Sequence, residues 1–422
     1  MRFDNLPDQW EVKKMPQVVK WGSGGTPKAT ERQYYDGGTI PWLIIGDLND
    51  GIVTSSASKI TKLGLQNSSA KIIPSGTLLV AMYGSIGKLG ITGIECCTNQ
   101  AIAFAKELRG VTTKYMFYYM ALMKSELISM GKGGTQKNIS QTVLNSLDVI
   151  VPPLPEQERI VARIEELFSE LDAGVEMLKK TKAQLAVYRQ AVLKEAFEGR
   201  LTNHIPVSLS LSWASGEETK TLPVIPEEWH YIVLKYLGDL GRGKSKHRPR
   251  NDPKLFVDGK YPFIQTGDVK AAPNHITTCT KQYGEFGLSQ SKLWPKGTLC
   301  ITIAANIAET AFLGIDACFP DSVVGFTPND TVLAEYIRYF IESQKIRLWA
   351  FAPATAQKNI NLDTLDNLIV PYCSIEEQRI VISAIESRMS VCDSIEQTVD
   401  AALQQAEAMR QSFLKDAFEG RL

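Results

Sequence analysis

The sequence predicts an α+β fold in which two similar α/β domains are joined by two long antiparallel helices that form a coiled coil, with internal pseudo-two-fold symmetry. Two observations predict it: most of the chain is present twice in the same order, and each copy ends in a long amphipathic segment. With 422 residues, the chain is long enough for two or three domains with cores of their own. A hydrophobic content of 44% is typical of globular proteins and argues against disorder or a disulfide-rich scaffold.

The repeat consists of short segments that return in the same order about 220 residues later along the chain. The matching segments are 7–10 and 226–229, 40–47 and 261–268, 74–78 and 295–299, 135–139 and 356–360, 150–152 and 369–371, 159–161 and 379–381, and 196–201 and 417–422. Two copies at so long a period predict duplicated domains and not a solenoid of many short repeats.

Composition and periodicity divide each copy into a mixed domain and a helix. We expect five segments: a first domain over residues 1–154, a first spacer helix over 155–201, a linker over 202–222, a second domain over 223–374, and a second spacer helix over 375–422. The linker is rich in serine, as is typical of chain that connects domains.

The two helices are predicted from their amphipathic spacing and their ends. Pro155 and the acidic residues after it are typical of a helix start, and Gly199 lies where a C-terminal cap is expected. A narrow apolar stripe on so long a helix is best buried against a second helix, and the other copy is the simplest partner. The residues predicted to form the core of the helix pair are Ile160, Ile164, Leu167, Leu171, Leu178, Leu185, Ile380, Ile385, Met389, Ile395, Leu403 and Met409.

Several functional classes lack their sequence signatures. Seven cysteines without C-x-x-C spacing and four histidines without paired ligand spacing predict no metal site. No G-x-S-x-G elbow or amino-methyltransferase motif is present, so no catalytic residue is predicted. No segment approaches the run of about 18 apolar residues that a membrane-spanning helix needs, and the first residues do not form a signal peptide. We therefore expect a cytoplasmic protein without a membrane partner.

The distribution of charge is more informative than its sum. The chain carries 46 basic and 46 acidic residues, yet residues 1–155 contain 16 basic against 11 acidic ones. The predicted helices are acidic, with 13 basic and 18 acidic residues between them. The second domain is balanced, but six of its cations fall within residues 242–254. This pattern predicts acidic helices suited to protein partners and domains with local positive faces.

The basic segment of the second domain has three interpretations. Residues 238–245 satisfy the G-x-x-x-x-G-K-[ST] pattern of a nucleotide-binding loop, but Pro249 and Pro253 disfavour the helix that such a loop requires. A solvated surface loop is the second interpretation. The third is a loop that binds nucleic-acid phosphates through its lysines and arginines.

Polar loops that recur in both copies indicate where bases could be read. Asparagine and glutamine can pair with adenine edges, and lysine and arginine with guanine or phosphate, although a structural turn also explains the repeated Gln-Lys-Asn segments. Residues 83–88 and 303–308 differ between the copies, as expected of two domains that read different sequences. The candidate DNA-binding residues are Lys28, Tyr83, Ser85, Lys88, Thr135, Gln136, Lys137, Asn138, Arg242, Lys244, Lys246, Arg248, Arg250, Gln265, Asn306, Thr355, Gln357, Lys358 and Asn359.

Taken together, these segments resemble the specificity (S) subunits of type I restriction-modification systems over essentially the whole chain. The resemblance is carried by Trp10 and Trp229, the Gly-Asp pairs at 46–47 and 267–268, the Gln-Lys-Asn-Ile segments, and the Phe-Glu-Gly-Arg-Leu sequence that ends both helices. The helix starts at residues 155–161 and 376–381, which share Glu-Gln and Arg-Ile-Val, also carry the resemblance. The second start departs from the first in having Ile375 in place of Pro155.

The resemblance implies a non-catalytic subunit that recognises a bipartite double-stranded DNA site, with one half-site for each target-recognition domain. It implies two methylase (M) subunits docked on the helices, and motor and nuclease (R) subunits in the same complex. S-adenosylmethionine, ATP and Mg are then expected in those partners, and no cofactor is expected in this chain. The alternative is a non-enzymatic coiled-coil scaffold with two ligand-binding modules.

Overall fold

The computed structural model describes residues 6–133, 137–202, 206–207, 222–351 and 359–422. They fall into two compact units: unit 1 extends to Lys179 and also includes Asp400–Leu422, whereas unit 2 is Lys180–Val399. Both boundaries lie inside long helices. Each unit therefore combines one mixed domain with the first half of the helix that follows it and the last half of the other helix.

The elements are numbered in chain order. The strands are β1 Glu11–Lys14, β2 Val19–Ser23, β3 Ile40–Leu43, β4 Gly51–Val53, β5 Lys59–Ile60, β6 Leu78–Ala81, β7 Leu89–Thr92, β8 Cys97–Thr98, β9 Ile102–Leu108, β10 Asp148–Val151, β11 Pro206–Val207, β12 Ile225–Pro226, β13 His230–Val233, β14 Gly238–Arg242, β15 Tyr261–Phe263, β16 His275–Ile276, β17 Lys281–Tyr283, β18 Leu293–Trp294, β19 Leu299–Thr302, β20 Thr310–Leu313, β21 Ala317–Cys318, β22 Val323–Pro328 and β23 Ile369–Tyr372. The helices are α1 Met15–Val18, α2 Lys62–Gln66, α3 Thr113–Leu122, α4 Lys124–Met130, α5 Gln141–Ser146, α6 Leu154–Phe197, α7 Thr266–Ala271, α8 Glu285–Ser289, α9 Ala334–Ser343, α10 Lys345–Phe351, α11 Leu362–Asp366 and α12 Ile375–Phe418.

Both units contain the same five-stranded sheet. Its strand order is β2-β9-β6-β7-β4 in unit 1 and β14-β22-β19-β20-β16 in unit 2. In each, the first four strands are antiparallel to their neighbours and the last is parallel. The central strands β6 and β19 are buried at every residue, which explains their continuous apolar character. The prediction of two similar domains of mixed α and β structure is confirmed.

The core of each unit is closed by the end of a helix that belongs to the other sequence copy. In unit 1, the ring of Phe418 lies 5.1 Å from that of Tyr115 and 5.3 Å from that of Tyr119, between centroids. In unit 2, the ring of Phe197 lies 5.0 Å from that of Tyr336. The repeated Ala-Phe-Glu-Gly sequence at the helix ends is thus explained by packing.

The glycine after each helix is required by its conformation and by a proline. Gly199 and Gly420 both have φ of 74°, in the left-handed region that favours glycine at a helix C-terminus. A Cβ on Gly199 would lie 2.2 Å from Cγ of Pro226, and one on Gly420 would lie 2.8 Å from Cγ of Pro7. The repeated Pro-x-x-Trp and Gly-Arg-Leu segments therefore lie against each other in both units.

A buried glutamine near the start of each long helix fixes the domain to that helix. The Gln157 amide donates to the carbonyl oxygens of Gly110 and Pro152, at 2.8 and 2.9 Å, and its oxygen accepts from the N–H of Thr112 at 3.0 Å. Gln378 makes the equivalent three hydrogen bonds in unit 2, and both glutamines are fully buried. Polar groups buried in this way are stable only because every hydrogen bond is made.

Replacing Gln157 with alanine is expected to lower the free energy of unfolding of unit 1 by about 3 kcal/mol, since it leaves buried backbone groups without partners. Denaturant unfolding followed by tryptophan fluorescence measures this loss. Gln405→Ala, an exposed position on α12, serves as the control. Equal unfolding midpoints for the two variants would contradict the assigned role.

The two long helices pair in antiparallel orientation within each unit, as predicted. In unit 1, the Arg410 guanidinium forms an ion pair with Asp172 and lies 4.9 Å from the ring centroid of Phe168. In unit 2, Arg189 pairs with Asp393 at 2.7 Å and with Glu396 at 3.0 Å. As the residue number rises from 172 to 189 along α6, the number of the partner residue falls from 410 to 393 along α12. This is the order of contacts in an antiparallel helix pair.

Shielded positions on each helix alternate in steps of three and four, the spacing of a coiled-coil seam. They are 164, 168, 171, 175, 178, 182, 185, 189, 192 and 196 on α6, and 385, 389, 392, 396, 399, 403, 406, 410, 413 and 417 on α12. The predicted core residues Ile160, Ile164, Leu185 and Ile385 are buried, and Leu167, Leu171, Leu178, Met389 and Leu403 are half-buried.

The prediction that a residue lies in the core of the helix pair is wrong at three positions. Ile380, Ile395 and Met409 are 53%, 40% and 38% exposed. Each lies one position before a shielded residue, and for two of them that residue is a charged side chain, Glu396 or Arg410. A prediction based on apolar character passes over charged seam residues that pair across the helices and selects their exposed apolar neighbours.

Candidate nucleic-acid interface

In unit 1, one edge of the five-stranded sheet gathers the loops with candidate DNA-binding residues. Strand β2 ends at Ser23, which pairs with Ala103, and β6 ends at Ala81, which pairs with Ile102, the first residue of β9. The chain segments 24–28, 82–88 and 99–101 therefore leave the sheet on the same side. We call this side the loop edge.

Backbone bonds place the predicted loops side by side at the loop edge of unit 1. Tyr83 and Asn138 form a β-bridge, and the N–H of Gly84 donates to the carbonyl of Lys137 at 3.1 Å. The repeated Gln-Lys-Asn segment thus ends beside the loop that differs between the copies. Lys28 lies in the loop that follows β2, where it forms an ion pair with Glu31 at 3.3 Å and its side chain remains 71% exposed.

A basic depression of about 600 Å³ lies beside these loops. Three lysines, Lys88, Lys124 and Lys137, line it together with Ser85 and Asp50. Lys124 pairs with the Asp50 carboxylate at 3.2 Å, which leaves an excess of positive charge in the depression. Sequence reasoning missed Lys124 because it opens α4 away from any repeated polar loop, and only the fold brings it here.

The loop edge of unit 2 is built in the same way. Arg242 at the end of β14 pairs with Val324, and Thr302 at the end of β19 pairs with Val323. Ala304 and Asn359 form the β-bridge that corresponds to Tyr83 and Asn138. Asn306 therefore lies at the same position in unit 2 as Ser85 in unit 1.

The basic segment after β14 is held against the unit by its alternate residues. Gly243 and Ser245 are buried, whereas the cations between and around them are exposed. A Cβ on Gly243 would lie 2.3 Å from the Phe319 carbonyl oxygen, so only glycine allows this approach. The exposed cations are Arg242, Lys244, Lys246, Arg248 and Arg250.

Polar contacts give this segment a defined shape. The Arg242 Nε donates to the Asp321 backbone carbonyl at 3.0 Å, and Arg250 forms an ion pair with the Asp321 carboxylate at 2.8 Å. The pKa of the Asp252 carboxyl is lowered by hydrogen bonds from the backbone of Lys254 and from the His247 ring. Because residues 238–242 form a strand and no helix begins at Lys244, the arrangement lacks the helix N-terminus that a nucleotide-binding loop uses.

Gln265 follows β15, which runs parallel to β21. Its backbone N–H donates to the Asp268 carboxylate at 2.7 Å, and Asp47 accepts the equivalent bond from Ile44 at 2.8 Å. The repeated Gly-Asp pairs therefore have a structural role at the start of a helical turn. Thr135, Gln136, Thr355, Gln357 and Lys358 lie outside the described residues.

Other kinds of site find no support among the described residues. No cluster of three or more histidine, cysteine or acidic side chains there could hold a metal ion. Burial raises the pKa of the Cys96 thiol to about 12 and that of Cys97 to about 11, which keeps both thiols protonated. Within the described part of the chain, every helix is too short or too polar to cross a membrane.

Most of this chain is similar in sequence to known proteins. Residues 7–185 and 226–405 each match the family described as type I restriction modification DNA specificity domain. The chain is 27% identical to the EcoBI specificity subunit of Escherichia coli over 82% of this chain and 73% of the relative. It is 20% identical to the EcoKI specificity subunit of Escherichia coli strain K12, over 100% and 91%.

Solved structures show the same fold. One chain, from work on complex assembly and conformational transition of the type I restriction-modification system, superposes with a TM-score of 0.74 at 16% identity, over 99% of both chains. The HsdS subunit of Thermoanaerobacter tengcongensis gives 0.54 at 17% identity, over 99% of this chain and 98% of that one. Since the family match covers most of the sequence in two successive copies, this chain belongs to the family of type I restriction-modification DNA specificity domains.

Proposed function

We propose that the chain is the DNA-recognition subunit of a type I restriction-modification complex, and that each unit recognises one half of a bipartite DNA site with its loop edge. The observation that carries the proposal is that both units bring equivalent loops to the same sheet edge, with different side chains. An identical scaffold with different polar groups is what two distinct half-sites require. The relatives named above are specificity subunits of type I restriction enzymes.

The exposed cations of unit 2 support contact with the DNA backbone. Lys244, Lys246 and Arg248 project from a segment whose other residues anchor it to the sheet edge. Contacts of lysine and arginine with phosphates position a protein on the duplex, while other side chains at the same edge read the bases. In unit 1, Lys124 and Lys137 of the basic depression would serve the same purpose.

Changing Lys244, Lys246 and Arg248 to glutamine is expected to reduce the salt dependence of DNA binding. Each lost phosphate contact reduces the steepness of the fall of log K with log salt by about 0.9, so the negative slope should become shallower by about 2 to 3. Fluorescence anisotropy with the complex of this chain and its methylase, over a range of salt concentrations, measures this slope.

The control removes the same charge from the opposite end of the unit 1 sheet. Lys14→Gln, Lys20→Gln and Lys106→Gln lie near the start of β2 and the end of β9, away from the loop edge. This variant should keep the slope of the unchanged complex. If both triple variants lower the slope equally, the segment after β14 acts only through net charge.

The long helices support docking of the methylase subunits. Ile380, Val391 and Ile395 on α12 are 53%, 58% and 40% exposed, and their spacing puts them on one side of the helix. Val391 and Ile395 lie one turn apart and form an exposed apolar pair, whereas Ile380 lies about three turns before them. Neighbouring exposed apolar groups mark protein contact sites more often than scattered single residues do. S-adenosylmethionine would then be bound by the methylase subunits, and ATP and Mg by the motor and nuclease subunits.

Replacing Ile380, Val391 and Ile395 with serine is expected to weaken methylase binding about tenfold or more, because apolar area no longer leaves water on docking. Calorimetric titration of the chain with the methylase measures the affinity. Val257→Ser, which changes a 59% exposed residue of the domain, is the control and should bind normally. Normal binding by the triple variant would place the docking surface elsewhere.

A further inference from the structure

The loops after β6 and β19 have the same backbone conformation in the two units. Gly84 and Gly87 have φ of 63° and 72°, and the corresponding Ala305 and Ala308 have φ of 64° and 61°. An isoleucine anchors each loop in the core, with Ile86 4% and Ile307 0% exposed. Both loops also bridge to the asparagine of the repeated Gln-Lys-Asn segment.

In unit 2, the surrounding structure holds the loop at positive φ although its residues there are alanines and not glycines. An L-amino acid such as alanine disfavours positive φ, and strain of this kind persists only where neighbouring structure enforces it. In unit 2, the N–H of Ala308 donates to the Thr302 carbonyl at 2.8 Å, as the N–H of Gly87 donates to Ala81 at 3.0 Å in unit 1. The Thr302 hydroxyl also bonds to the carbonyl of Asn306 within the turn.

On this common backbone, the positions that reach the surface differ in chemistry. The β-bridges align residues 83–88 with 304–309, which corrects by one position the sequence comparison with 303–308. The corresponding residues are Tyr83 and Ala304, Ser85 and Asn306, and Lys88 and Glu309. We call them the three loop positions. Each keeps some exposure, whereas the isoleucine and the second positive-φ residue between them are buried in both units.

We propose that the three loop positions are specificity determinants that decide which bases each unit prefers within its half-site. The Asn306 amide can donate and accept at once, which suits the adenine edge, whereas the Ser85 hydroxyl is less selective. Tyr83, 43% exposed, offers an apolar ring that Ala304 lacks. The inference rests on the proposed function and adds the residues that separate the two half-sites.

Neighbouring charges determine which exchange the fold tolerates best. In unit 2, Glu309 pairs with Lys345 at 2.8 Å. The corresponding lysine in unit 1, Lys124, pairs with Asp50, and unit 2 has alanine at the position of Asp50. A carboxylate placed at position 88 would find Lys124 as a partner, whereas a lysine at position 309 would lie beside Lys345 without a carboxylate at the position of Asp50. The exchange should therefore be made in unit 1.

The variant Tyr83→Ala, Ser85→Asn, Lys88→Glu gives unit 1 the three side chains of unit 2. The complex of this variant with its methylase is used to select bound sequences from a pool of random DNA duplexes. We expect one half-site to change at one or more positions, with base preference there shifted by about 10- to 100-fold. The other half-site and the spacer length should stay as they are in the unchanged complex.

A second variant tests the same inference in unit 2. Asn306→Ser alters one side chain without disturbing the Glu309 pair, and it should change the half-site that the unit 1 variant leaves intact. Ala305→Gly together with Ala308→Gly is the matched control, because it relieves strain in the same loop and should keep both half-sites. Thermal unfolding of each variant confirms that the chain is folded.

The outcomes separate this inference from the proposed function. If the unchanged complex selects no sequence, the proposed function fails and the inference fails with it. If the unchanged complex selects a bipartite site but both variants retain it in full, the proposed function stands and the three loop positions are not specificity determinants. A change in the same half-site by both variants would also overturn the assignment of one loop to each half-site.

Discussion

Replacing Phe418 with alanine is expected to lower the free energy of unfolding of unit 1 by about 3–5 kcal/mol, the usual cost of removing a large buried aromatic side chain. Phe418 is fully buried and packs on Tyr115 and Tyr119 of α3. Although it belongs to the second sequence copy, the loss should be confined to unit 1. Hydrogen exchange measured by mass spectrometry should show faster exchange in Thr113–Leu122.

The corresponding change in unit 2 should act on the opposite set of peptides. Phe197 packs on Tyr336 and Phe340, so Phe197→Ala is expected to speed exchange in Ala334–Ser343 and to spare α3. Tyr188→Ala, at a 48% exposed position of the same helix, is the control and should leave both regions protected. Faster exchange in α3 for Phe197→Ala would show that the units are not built from exchanged helix ends.

Deleting one heptad from each long helix is expected to shorten the spacer between the DNA half-sites by about three base pairs. The two helices continue from one unit into the other, and seven residues correspond to about 10.5 Å of helix and nearly two full turns. Residues 175–181 and 401–407 are suitable because they leave Asp172, Arg189, Asp393 and Arg410 in place. Whole turns keep the side-chain faces nearly in register, so the half-sites themselves should not change.

Genome-wide mapping of methylated sites in cells that carry the variant and its methylase measures both the spacer and the half-sites. The control deletes four residues from each helix, which turns the part of the helix after the deletion by about 40° about the helix axis relative to the part before it. This variant should lose methylation and should not acquire a new, defined spacer. An unchanged spacer in the heptad variant would contradict a role of the helices in setting half-site separation.

The duplication followed from repeated segments in the sequence, and the mixed character of both domains followed from composition and periodicity within each copy. Short motifs such as Pro-x-x-Trp and Phe-Glu-Gly-Arg-Leu mark positions where backbone conformation and close packing leave few alternatives, and such constraints appear directly in residue identity. The long helices followed from the same logic, because an apolar stripe with three- and four-residue spacing has few other structures available.

The candidate interface was only partly predictable. Tyr83, Ser85, Lys88 and Asn138 were selected as polar residues in loops, and the strand register brings their loops together at one edge. Lys124 could not be found in this way, because it joins the group through a helix distant in sequence. The exposure of Ile380, Ile395 and Met409 was likewise hidden, since the seam contains charged residues that pair with the opposite helix.

By itself, the sequence determined that two related α/β domains alternate with two amphipathic helices, because local spacing and repeated residues depend on short-range geometry. Only the tertiary structure decided that each unit takes its closing aromatic residue from the other copy's helix, with Phe418 in unit 1 and Phe197 in unit 2. Only it decided, too, which loops share an edge. These choices depend on contacts between residues far apart in the chain, and linear spacing carries no information about which partner fills a given core.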